Sequence, residues 1–133
     1  MCFSSRVPIR CDGRCVGVPY PLNSGAGGKL LAAVSRLSDD ELLQGFDPQF
    51  ASGSNAQDFL AQINTVREQG YAYSHGEMNP GVVALSVPIR SHNEVVAGIG
   101  LFDLENRMTD EVVRERLANM KQSAQEIEWM LSP

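Results

Sequence analysis

The stretch Asn23-Ser-Gly-Ala-Gly-Gly-Lys29 runs a string of small residues into a lysine and then into an apolar helical pattern. Nucleotide-binding loops join the same residue types, so the first question is whether the spacing fits. A phosphate cradle of that kind needs a glycine, four residues, and then Gly-Lys-Ser/Thr, so that backbone N–H groups wrap the phosphates and the hydroxyl holds magnesium. Counting back from Gly28-Lys29 places Asn23 at the first glycine position, and Leu30 follows the lysine. The dinucleotide fingerprint G-x-G-x-x-G fails as well, because Leu30 stands at its third glycine. What is left is a flexible turn opening a helix whose first N–H groups are free and whose dipole is positive at that end. Such a turn suits a small anion of any kind.

The other residues able to do chemistry are few. His75 and His92 are the only candidate bases, and His92 sits in the polar turn Ser91-His92-Asn93. His75 lies in Tyr-Ser-His-Gly-Glu-Met-Asn-Pro-Gly beside Glu77, a pairing that would be the centre of any small His/Glu-dependent enzyme. No nucleophile elbow, zinc-protease motif or paired-carboxylate spacing accompanies it, so no catalytic residue is assigned. Cys2, Cys11 and Cys15 all fall in the first fifteen residues. Their odd number and spacing fit neither a disulfide scaffold nor a zinc site, and they read as reduced structural thiols; no metal or cofactor is expected. The cluster Asp39-Asp40-Glu41 stands where a helix begins, where negative charge complements the dipole.

Eleven basic against sixteen acidic side chains give a net charge of -5, with the basic residues scattered. That pattern excludes the electrostatic footprint of a nucleic-acid binder, so this chain is expected not to bind DNA directly. No apolar run reaches the roughly 20 residues of a membrane span, and Met1 to Arg10 lack a signal-peptide core, which makes a cytoplasmic location the expectation. At 133 residues the length suits one domain.

Hydrophobic periodicity and turn residues divide the chain into alternating elements. Residues 5 to 18 read as a hairpin turning at Asp12-Gly13. A helix over about 24 to 36 carries Leu30, Leu31, Val34 and Leu37 at helical spacing. Ser38 with Glu41 forms a capping box for a short second helix, and Asn55 opens a third with the stripe Phe59, Leu60, Ile63 and Val66, stopped by Gly70. A short aromatic strand over 70 to 74 precedes a hairpin of Val82–Arg90 and Glu94–Asp103. Small residues alternate on both hairpin strands, Ala84 and Ser86 on one, Gly98 and Gly100 on the other. Either a helix or a ligand could lie against such a face. Thr109 caps a last helix with Val113, Leu117, Met120, Ala124, Ile127 and Leu131 on one side, expected to pack on the chain's own sheet. The fold class is therefore α+β, an antiparallel sheet flanked by helices.

Taken in order, "PLNSGAGGKLLAA", "REQGYAYSHGEMNPGVVALSVPIR", "VVAGIGLFD" and a late helix opened by "RMTDE" resemble the effector-binding domain of IclR-type bacterial transcription regulators over about Val7 to the C-terminus. The resemblance implies a GAF-like fold that senses a small organic acid or aromatic metabolite. It assigns pocket-lining roles to Ala26 and Gly27 in the opening turn, Ser74 after "GYAY", Ala84 on the first hairpin strand, and Gly100 and Phe102 on the second. Of the positions at Ser74, Ala84, Gly100 and Phe102 only Ser74 is polar, which favours a larger and more apolar ligand. Asn23 replaces the histidine usual in that turn. The resemblance also implies that residues 1–133 are a partial sensing domain without the family's winged-helix DNA-binding domain. Self-association into a homo-oligomer is expected, through an open sheet edge or the Val113 to Leu131 stripe. A module serving dimerisation alone, without a ligand, is the alternative.

Overall fold

The computed structural model describes residues 20–132 apart from 52 and 78. The hairpin expected over 5 to 18 and the three cysteines lie outside the described residues. Within them, the elements run α1 (Gly25–Val34), α2 (Asp39–Gln44), α3 (Ala56–Gln69), β1 (Ala72–His75), β2 (Val82–Ser91), β3 (Glu94–Leu104) and α4 (Asp110–Leu131), with short 3-10 turns at Pro48–Phe50 and Glu105–Arg107. The protein is α+β.

The caps sit where side-chain chemistry requires. Ser38 accepts from the Glu41 N–H at the start of α2. At α3, Asn55 accepts from the Asp58 N–H while the Asp58 carboxylate accepts from the Asn55 N–H, and Gly70 ends the helix at φ 82, a left-handed conformation that costs glycine nothing. Thr109 accepts from the Val112 N–H to open α4.

The three strands form one antiparallel sheet in the order β1-β2-β3. The β2–β3 turn is tighter than the three-residue turn expected: only His92 and Asn93 are outside the strands, both at positive φ (52 and 65). That is the two-residue geometry whose twist matches flanking strands, and a polar Asn tolerates it.

Register sorts the side chains onto two faces. Val83, Leu85, Val87 and Ile89 of β2 pack with Leu117, Met120 and Ala124 of α4, joined by Ile99 and Leu101 of β3. The opposite face carries Ala72 and Ser74 of β1, Ala84, Ser86 and Pro88 of β2, and Gly98, Gly100 and Phe102 of β3. Here α1 lies, with α3 behind it, around a core of Ala26, Leu30, Ala33, Phe59, Ile63 and Val66. One buried carboxylate ties β3 to the α4 layer: Asp103 accepts from Arg116 Nη1 at 3.0 Å and from the Leu104 N–H at 2.8 Å, with Arg107 Nη1 at 3.5 Å. Burial by itself would raise the Asp103 pKa, but the Leu104 N–H and the Arg116 and Arg107 guanidiniums outweigh it and hold the carboxyl below its usual range.

Two expectations need correction. The periodicity places the α1 stripe on Leu30, Leu31, Val34 and Leu37, yet only Leu30 of these is buried; the residues of α1 that are buried are Gly25, Ala26, Lys29, Leu30, Ala32 and Ala33. Small side chains let α1 approach the strands closely, which the longer leucines on the expected face would prevent. The helix also stops at Val34, because Ser35 turns to extended backbone and donates its hydroxyl to the Ala32 carbonyl. The Val113 to Leu131 stripe packs on the chain's own sheet as expected, with Leu117, Met120 and Ala124 buried against β2, while Leu131 at its end is 47% exposed.

Candidate ligand site

The small-residue face of the sheet is where the expected site residues gather. Ser74, Ala84 and Phe102 lie side by side across β1, β2 and β3 in one row of the register, and Gly100 lies one row further, opposite Ser86. Direct cross-strand neighbours of this kind are about 5 Å apart, so the row forms a continuous surface. Ala84 packs against the cluster that contains Ala26.

Two glycines of β3 that look alike in sequence have different surroundings. A Cβ on Gly98 would come within 3.0 Å of Leu30 Cδ2, so this glycine makes room for α1. A Cβ on Gly100 would meet nothing nearer than the Leu85 carbonyl oxygen at 3.9 Å. The helix therefore fills the face at Gly98 and leaves it open at Gly100. Leu30 against Gly98, with Val34 and Val95 lining one cleft further on, sets α1 antiparallel to β3. Four residues back along α1, about 6 Å, nearly match two strand residues, about 6.8 Å, a rise that would bring Ala26 to about the level of Gly100. Gly27, the next residue, is exposed, with open space where its side chain would be.

The start of α1 is built by long-range contacts. Gly25 begins the helix at φ 77. Its N–H donates to Glu77 Oε2 at 3.2 Å, and Lys29 donates to Glu77 Oε1, so one carboxylate both caps the helix and neutralises the lysine. The ion pair is buried, with side-chain exposures of 4% and 9%. A carboxylate does meet the free donors of this turn, as the sequence suggested, but it is the chain's own. Asn23 is buried too; its amide donates to the Asp47 carbonyl at 2.8 Å and its Oδ1 accepts from the Asp47 N–H at 3.0 Å, stitching the opening turn to the loop after α2. This fixed structural role needs an amide and no titrating group.

Between α3 and β1 a cleft of about 530 Å3 opens over the ion pair, lined by Lys29, Gln62, Thr65, Tyr73, Ser74 and Glu77 among others. Of the six expected residues only Ser74 lines it. Ala26, on α1, is buried in the core cluster, while Ala84, Gly100 and Phe102 share Ser74's face further across the sheet. The His75–Glu77 pair does not form. His75 Nε2 lies 2.5 Å from Glu105 Oε2, both side chains half exposed, and Glu77 is held by Lys29. Alternation explains the split: His75 falls on the strand face opposite Ser74. Among the described residues no three metal-ligating side chains converge.

The residues that sequence reasoning missed are Lys29 and Glu77 as a pair. One signal was present: Lys29 is a lone charge between Gly28 and Leu30-Leu31-Ala32-Ala33, in a helix otherwise made of small and apolar residues. A buried lysine there demands an acid, but 48 residues separate it from Glu77.

Comparison with known proteins decides the family. The model for "Bacterial transcriptional regulator IclR C-terminal" matches residues 9–129. This chain belongs to the IclR family. Its curated relatives include the HTH-type transcriptional regulator XynR of Escherichia coli (strain K12), 30% identical over 88% of this chain and 47% of that protein, and the Pca operon regulatory protein of Acinetobacter baylyi, 30% identical over 90% and 45%. The chain spans about half the length of these relatives, which are transcription regulators and not enzymes. Among solved structures, an IclR-family transcriptional regulator from Rhodococcus sp. superposes with a TM-score of 0.72 at 29% identity, covering 95% of this chain and 46% of that one. The C-terminal domain of the E. coli transcriptional regulator KdgR gives 0.70 at 27% identity, covering 84% and 71%. The α+β arrangement is thus that of IclR C-terminal domains. No helix among the described residues is long and apolar enough to cross a membrane.

Proposed function

We propose that this IclR domain is the sensing part of a cytoplasmic regulator, and that it takes a small organic acid or aromatic metabolite on the α1-facing surface of the sheet. Ser74, Ala84, Gly100 and Phe102 form the floor, and Ala26 and Gly27 of α1 form the wall; occupancy of this site is passed to the DNA-binding region of the whole regulator. The observation that carries the reading is that a Cβ on Gly100 would meet nothing nearer than the Leu85 carbonyl oxygen at 3.9 Å, whereas one on Gly98 would meet Leu30 of α1 at 3.0 Å. Phe102 supplies a ring for stacking, and Ser74 a hydroxyl at one end of the row. Because Lys29 is already neutralised by Glu77, the local surroundings contribute no net positive charge, which favours a ligand held mainly by apolar contact with one polar end.

The test is Gly100→Leu. Its Cβ meets no close neighbour, so the variant should fold as the parent does while its side chain occupies the proposed site and abolishes ligand-dependent thermal stabilisation across a panel of small aromatic and aliphatic carboxylic acids. Unfolding of the variant would mean that the space is packed by protein, at a cost of roughly 1–3 kcal/mol. Retained stabilisation would place the ligand elsewhere.

We also propose that the domain works as a homo-oligomer. Among the described residues no strand pairs with the outer edge of β3, and natural proteins cover such edges. Val96 on that strand is 57% exposed. A monodisperse monomer by light scattering at micromolar concentration would exclude this assembly.

A further inference from the structure

About one helix length from the proposed sensing site, roughly 15 Å for a ten-residue helix, the C-terminal ends of α1 and α3 and the β2–β3 turn enclose a second cleft of about 640 Å3. Arg36 from the loop after α1, Arg67 from α3 and Arg90 from β2 line it. The described residues include six arginines, at 36, 67, 90, 107, 114 and 116, so half of them converge here. Glu94 is the only acidic residue of the lining. In a chain of net charge -5 this local balance runs against the whole.

Helix ends account for part of the arrangement. The last carbonyls of α1 and α3 carry partial negative charge, and cations near them are stabilising. Arg67 does this work: its Nε donates to the Ala33 carbonyl at 3.0 Å and its Nη1 to Asn64 Oδ1 at 3.2 Å, which also fixes the plane of the guanidinium. Arg36 donates from Nη2 to Glu94 Oε1 at 3.1 Å, but those side chains are 93% and 71% exposed, so water and salt screen the pair and it opens at little cost. Arg90 has no such duty. Its backbone N–H is held by Glu128 Oε1 at 2.8 Å, pinning the strand end, while its guanidinium caps neither helix and has no acceptor among the described residues. A guanidinium has five N–H donors in a planar fork suited to two oxygens at once. Val34, Val66 and Val95 add an apolar wall beside the three forks.

We infer that this cleft binds a small organic dianion, a phosphate monoester or a dicarboxylate, with Arg67 as a fixed donor, Arg90 as an uncommitted one and Arg36 released from Glu94 to close over it. Compact dianions match paired guanidiniums because each fork makes two parallel charge-assisted hydrogen bonds. The valines take the carbon skeleton. The site is independent of the sensing site proposed above, and neither requires the other.

The experiment titrates the full chain with inorganic phosphate, and separately with succinate, at constant ionic strength while backbone amide shifts are recorded. Saturable shifts at Val34, Arg67 and Val95 are expected; a stronger response to phosphate assigns the site to phosphate esters, a stronger response to succinate to dicarboxylates. Arg90→Gln should weaken binding about tenfold, the loss of roughly one charge-assisted contact. The double variant Arg36→Gln, Arg90→Gln should abolish binding while melting as the parent does without ligand, since both side chains are solvent-exposed. Absence of saturable shifts, shifts that follow ionic strength alone, or binding that survives in the double variant would overturn the proposal.

Discussion

Lys29→Met is expected to destabilise the domain by about 3–5 kcal/mol, the range found when one partner of a buried ion pair is removed. The side chains of Lys29 and Glu77 are 4% and 9% exposed. Without the ammonium, Glu77 keeps only the Gly25 N–H at 3.2 Å and must either remain charged in a buried site, take up a proton, or pull its loop out into water. Each route costs stability, and the last also removes the cap from α1. Methionine nearly preserves the volume of the lysine stem, so the loss measures charge and not packing. Replacing both partners, Lys29→Met with Glu77→Leu, should recover a large part of the loss, because a pair of apolar groups leaves no uncompensated charge behind. Chemical denaturation of the three variants checks the cycle. A single Lys29→Met variant within about 0.5 kcal/mol of the parent, the scatter of ordinary surface substitutions, would mean that water reaches the pair through the cleft above it.

Elements announced by local side-chain chemistry were legible from the sequence. Asn55 and Asp58 lie three residues apart and cap each other, Gly70 supplies the left-handed stop, and Thr109 opens α4 whose buried stripe recurs every three or four residues. These signals act within one turn of chain, so a sequence carries them whole. The buried face of α1 was not legible, because periodicity weights large apolar residues, and this helix packs through Ala26, Lys29, Leu30 and Ala33. Close approach was the deciding force there, and it depends on what lies opposite. The same reason limits the site. Alternation put Ala84, Ser86, Gly98 and Gly100 on one face, and the register agrees, but whether α1 or empty space lies over a given glycine is a matter of tertiary placement: Leu30 covers Gly98 and not Gly100. Pairings across 48 residues for Lys29 and Glu77, or 30 for His75 and Glu105, leave no local trace beyond a charge that needs a partner.

Gly27→Ala and Gly28→Ala should change stability in opposite directions although the two residues are adjacent in α1. Glycine inside a helix is less favourable than alanine by roughly 0.5–1 kcal/mol, because the unfolded chain has more conformations to lose. At Gly27 a Cβ would meet nothing within 4 Å, so the full gain is available and Gly27→Ala should stabilise by about 0.4–1 kcal/mol. At Gly28 the Cβ would stand 2.5 Å from the Leu22 carbonyl oxygen and 3.0 Å from its carbon. Those are backbone atoms of the turn that Asn23 ties to Asp47, so neither a rotamer change nor a small shift of one side chain relieves the contact. Overpacking of this kind costs about 1–3 kcal/mol, and the helix-propensity gain offsets only part of it. Thermal denaturation should therefore separate the two variants, with Gly27→Ala above the parent and Gly28→Ala below it. The ligand adds an independent reading, since Gly27 is exposed and is placed in the wall of the proposed site. Gly27→Ala should bind the effector more weakly even as it melts higher, whereas a variant that gains stability and keeps full affinity would remove Gly27 from the site, leaving Ala26 and the sheet residues to form it.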